Sequence, residues 1–149
     1  MYEIPKIQVQ VVLSLFNDES IPGKMFVTED LLSPSGEAEI EQFLNRDPDT
    51  FFSFESDAGA YRLINKAQVV YIEIRQNDAE VRSQTMLEPK SLVVHFANDT
   101  TIYGLVYPTL AEESRVSDIL NDQENFITIY RQGRKILINK KLIVYANAN

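Results

Sequence analysis

"LINKAQVVYIEI", Leu63 to Ile74, returns as "LINKKLIVYANA", Leu137 to Ala148, 74 positions later. Whatever structure one half of the chain adopts, the other half must be able to adopt as well. Three further blocks match in the same order. "LSLFNDESIPGKMF", Leu13 to Phe26, aligns with "VHFANDTTIYGLVY", Val94 to Tyr107, at an offset of 81. That offset places Asn17 on Asn98, Asp18 on Asp99 and Gly23 on Gly104. "IEQFLN", Ile40 to Asn45, aligns with "VSDILN", Val116 to Asn121, at 76, and "FFSF", Phe51 to Phe54, with "FITI", Phe126 to Ile129, at 75. Offsets that only fall, from 81 to 74, describe one order of elements with small insertions in the first copy.

Each copy reads as strand, strand, short helix, strand, strand. Val9, Val11, Leu13 and Leu15 alternate with more polar residues, as do Leu92, Val94 and Phe96, which is the period of a half-buried strand. Asn-Asp after each of these strands suits a tight turn into the strand that carries Gly23 or Gly104. Ile40, Phe43 and Leu44 sit at i, i+3 and i+4, as do Val116, Ile119 and Leu120, so each short helix lays one apolar stripe on a sheet. Asn45 and Asn121 are expected to end those helices in a left-handed conformation. The expected class is mainly β, a β-rich α+β chain of two tandem ββαββ units with approximate internal two-fold symmetry. The units span residues 1–75 and 91–149, with a polar linker at 76–90. Both two separate small domains and one joint sheet fit this pattern. Units this small bury little surface alone, which favours extensive contact between them.

The order of signals resembles the Sm-like small β-barrel. "FANDTTIYGLVY" is similar to that family's first motif and "ILINKKLIVYA" to its second, with Lys140 at the basic turn. The resemblance implies curled sheets or partial barrels, and RNA binding by the basic turn residues. The paired pattern also resembles small bacterial proteins of no assigned activity that carry an "LxDxLN…FxxL…INKxxIVY" unit.

Chemistry-bearing residues are sparse. The 149 residues contain no Cys and one His, which excludes disulfides, thiolate sites and a histidine-rich metal site within one chain. His95 lies between inward-facing Val94 and Phe96, so it reads as a surface strand residue without the partners of a catalytic triad. "NRDPDT", Asn45 to Thr50, spaces oxygen side chains two apart but lacks the Gly and the closing Glu of a calcium loop. Asp18 and Asp99 read as turn residues, and the five glycines are too scattered for a phosphate loop. No cofactor and no enzymatic activity are expected. Apolar runs are too short to span a bilayer and "MYEIPKIQ" is unlike a secretory signal, so no membrane partner and a cytoplasmic location are expected.

Charge is divided unevenly. Residues 1–75 hold six Lys or Arg against 13 Asp or Glu, while residues 91–149 hold six of each. Arg131, Arg134, Lys135, Lys140 and Lys141 crowd the end of the chain and are expected to face acidic surface of a first unit, in the same chain or a neighbour. With Asn65, Lys66 and Asn139, they form the candidate contact set. The function expected is a non-catalytic protein-interaction or scaffold module, its partner another protein or itself, as a dimer or ring. RNA binding is the alternative, opposed by the net charge of −8.

Overall fold

Alternating apolar residues become strands throughout, and the strands join edge to edge. The computed structural model describes residues 6–28, 40–46, 48–75, 88–107 and 115–148. Before residue 76 come β1 (Lys6–Leu15), β2 (Ser20–Thr28), helix α1 (Ile40–Arg46), β3 (Phe51–Ser56), β4 (Tyr61–Asn65) and β5 (Val69–Arg75). After it come β6 (Lys90–Phe96), β7 (Thr101–Val106), helix α2 (Val116–Leu120), β8 (Phe126–Arg131), β9 (Arg134–Asn139) and β10 (Ile143–Ala148). Among the described residues each half therefore carries five strands, one more than its sequence pattern suggested. The 3-10 turns at Lys66–Gln68 and Lys140–Leu142 lie between the last two strands of each half. The added strand arises earlier, where the stretch after each helix folds back at Gly59 or Gly133, both at positive φ, into the β3–β4 and β8–β9 pairs. Residues 76–87 of the expected linker lie outside the described residues, and its last residue, Lys90, already belongs to β6.

All ten strands form one curled antiparallel sheet in the order β10-β6-β7-β8-β9-β5-β1-β2-β3-β4. The two halves meet where β9 pairs with β5, with Tyr71 opposite Ile138, Ile72 opposite Leu137 and Ile74 opposite Lys135. This junction joins unlike strands, head to tail. An isologous two-fold would join like strands, so the expected two-fold does not describe the contact. Among the described residues, β10 and β4 each pair on one side only.

Two apolar clusters cover the sheet. The first is built on Val11, Leu13, Met25, Phe54 and Ile72, with Ile40, Phe43 and Leu44 of α1 laid over it. The second is built on Leu92, Val94, Phe96, Ile129 and Ile136, with Ile119 of α2. They interlock: Phe126 and Leu137 from the second half belong to the first cluster, and Val70 from the first half belongs to the second. Gly23 lies under the Phe54 ring and the β3 backbone, and Gly104 under Ile129 and the Tyr130 carbonyl. A Cβ at either would collide, so only glycine lets the neighbouring strand cross this closely. The turns after β1 and β6 hold Asp18 and Asp99 at φ of 69° and 67°, which Asp tolerates better than most residues. No helix among the described residues is long and apolar enough to cross a membrane.

Candidate functional site

Except for Arg131, the candidate contact residues gather at the β5–β9 junction and around the two turns that precede β5 and β10. Asn139 ends β9 and is buried. Its Oδ1 accepts the Lys141 N–H at 3.1 Å, which caps the 3-10 turn, and its Nδ2 donates to the Val69 carbonyl at 3.0 Å across the junction. Asn65 makes the same cap on its own turn, its Oδ1 accepting the Ala67 N–H at 3.0 Å. It stands on β4, beside which no further strand lies among the described residues. Lys66 Nζ lies 5.7 Å from the centre of the Phe43 ring.

Four of the five basic side chains near the end of the chain, those of Arg131, Arg134, Lys135 and Lys140, are engaged within the chain. Arg134 pairs with Glu73 of β5. Lys135 is buried, its Nζ 2.9 Å from Oε1 and 2.6 Å from Oε2 of Glu41 on α1. Both pairs bring the second half against acidic residues of the first. Lys140 stays in its own half, donating to Asp122 Oδ1 at 2.7 Å and to the Leu120 and Asp122 carbonyls at 3.0 Å each. Arg131 stacks over Tyr103 at 3.9 Å and donates to its hydroxyl at 2.6 Å. Lys141 is exposed.

Two features were not legible as functional. Asn45 lies within α1 and does not end it. Its Nδ2 donates to the Phe126 carbonyl at 3.0 Å and its Oδ1 accepts the Phe126 N–H at 2.8 Å, so the amide clamps the start of β8 to the first half. That use of the amide displaces the expected left-handed cap; Asn121 does end α2 as expected, but with a negative φ of −93°. His95 is half-buried, stacked on Tyr145 with ring centres 4.2 Å apart and with Nδ1 3.0 Å from the Thr101 hydroxyl.

Tyr130, on β8, meets Tyr107 edge-on at 5.3 Å. Burial first, then neighbouring Glu41 and Tyr107, push its pKa up to about 12. An unfolded tyrosine ionises near pH ~10, so with rising pH the unfolded chain loses this proton before the folded one does. The stabilisation is complete below about pH 10 and is lost between roughly 10 and 12, amounting to about 2 kcal/mol. Tyr130→Phe is therefore expected to lose less stability than wild type between about pH 9 and pH 11 in urea denaturation. Equal losses would show that Tyr130 ionises freely in the folded chain.

Among the described residues no group of three His, Cys, Asp or Glu is placed to hold a metal ion. A hollow of about 210 Å³ lined by Gln10, Val11, Val12, Glu73 and Arg134 lies at the junction. It is smaller than the roughly 300–1,000 Å³ of ordinary small-molecule sites, and its two charged groups already neutralise each other. The molecule is thus a mainly β protein whose polar side chains hold strands together. No protein-family model, curated protein or solved structure matches the chain.

Proposed function

We propose that the chain is a non-catalytic interaction module, a duplicated small β unit that binds protein through the strand edges at the two ends of its sheet. The observation that carries this reading is the exposure of large apolar side chains on those edges. Tyr61 and Leu63 on β4, with Phe51 on the adjoining β3, stand exposed at one end, and Val144 and Tyr145 on β10 at the other. An edge strand offers unpaired N–H and C=O groups, and apolar side chains along it invite another strand. Duplication is supported by the strand order, in which β10-β6-β7-β8-β9 repeats the arrangement β5-β1-β2-β3-β4. It is supported further by the paired turns at Asp18 and Asp99, the close crossings at Gly23 and Gly104, and the caps at Asn65 and Asn139. Partial barrels of the Sm-like kind agree with five strands per half. RNA binding has less support, because Arg134, Lys135 and Lys140 are each tied to a carboxylate.

Photo-crosslinking in the source cells tests the reading. A benzophenone amino acid in place of Leu63 or Val144 should give protein adducts, while one in place of exposed Glu124 should not. RNA adducts, or no adducts at the two edge positions, would overturn it.

A further inference from the structure

We infer that the partner of each edge is a second copy of this chain, with β10 of one molecule pairing with β4 of the next as β5 pairs with β9 inside the molecule. The inference rests on the edge-binding reading above and names its occupant. It comes from comparing residues that the sequence repeat makes equivalent. Leu137 is 0% exposed at the junction and its counterpart Leu63 is 66% exposed. Val70 is 0% exposed and its counterpart Val144 is 64%; Phe126 is 4% exposed and its counterpart Phe51 is 50%. The residues that each half buries in the other half's core are, in the repeat, the ones left uncovered at the ends of the sheet. Each end lacks what the opposite end of another molecule carries.

The backbone agrees. Ser56 donates to the Ala60 carbonyl and Lys66 to the Thr50 carbonyl. With the β3–β4 register, these bonds turn Arg62 and Ile64 toward β3 and leave the N–H and C=O groups of Tyr61, Leu63 and Asn65 facing outward. On β10, Tyr145 and Asn147 face β6, opposite His95 and Val93, which leaves Ala146 facing outward. Carrying the β5–β9 register across the repeat places Leu63 opposite Ala146 and Ile64 opposite Tyr145. Asn65 then has the Ile143 carbonyl within reach of its amide, as Asn139 has that of Val69. The charge pairs do not carry over: the counterparts of Lys135 and Glu41 are Tyr61 and Ser117, and those of Arg134 and Glu73 are Ala60 and Asn147. The contact between molecules is therefore apolar where the one within the molecule is charged. Unlike edges meeting head to tail give a closed ring or a filament, never a symmetric pair of like edges.

Light scattering of the full chain decides the matter. Wild type should be larger than a monomer, with the same mass at about 0.1 M and 1 M salt because no ion pair is involved. Leu63→Pro and Ala146→Pro each remove one outward N–H without taking a bond from the sheet, so each variant alone should be monomeric. Mixed in equal amounts they should form a one-to-one dimer, since one retains β10 and the other β4. Circular dichroism and the thermal midpoint verify folding, and Leu63→Lys with Val144→Lys replace the pair if a proline variant does not fold. A monomeric wild type, dissociation at high salt, or a dimer surviving in one single variant alone would overturn the inference. A monomer that still gives edge adducts to a different protein would refute self-pairing and leave the interaction reading standing.

Discussion

Urea denaturation of Leu137→Ala is expected to reveal a loss of about 2–5 kcal/mol, the range for removing a fully buried leucine from a core that cannot collapse around the space. Leu137 sits in mid-β9, is fully buried, and packs in the cluster built by the first half. Its backbone also lies in the ladder with Ile72. Truncation opens a cavity at the seam between the halves, where both β5 and β9 are held by their own outer neighbours. Leu137→Met, which restores most of the volume, should cost less than about 1.5 kcal/mol. A loss below about 1 kcal/mol for the alanine variant would mean that the seam is not closely packed in solution.

The second large effect is expected at Lys135. Replacing it with Met leaves the Glu41 carboxylate half-buried beside Tyr130 without its cation, which should cost about 3 kcal/mol. The double variant Lys135→Met, Glu41→Leu removes both charges and should recover most of that loss, because burying the pair was itself costly. A double-mutant cycle by thermal and urea denaturation measures the coupling. If the double variant is no more stable than Lys135→Met, the ion pair is not what that side chain contributes.

Local structure was largely legible in the sequence. Alternation marked β1 and β6, the i, i+3, i+4 stripes marked both helices, and Asn-Asp marked turns whose second residue takes positive φ. What joins the halves was not legible, for a physical reason. The β5–β9 ladder is made of main-chain groups, which every residue except proline carries, so no side chain announces which edges meet. Val70 is as apolar as any strand residue, and nothing in its identity says which core receives it. Asn45 misled because one amide suits either a helix end or a backbone clamp, and the clamp lies 81 residues away. The count of charges suggested attraction between the halves, but Glu41 and Lys135, 94 residues apart, could be matched only in space.

The exchange of Val70 for Phe126 and Leu137 across the seam also determines how the molecule comes apart. Neither core can be laid open to water without withdrawing a side chain from the other, so partial melting of one half forfeits part of the other half's burial. Such coupling suppresses half-unfolded species and merges two small melting units into one cooperative transition. Calorimetry of the monomeric Leu63→Pro variant should register a single peak whose van't Hoff and calorimetric enthalpies agree; two separable peaks would show that the interlock does not couple the halves. The expected all-or-none behaviour then rests on Val70, Phe126 and Leu137, the few residues that cross the seam.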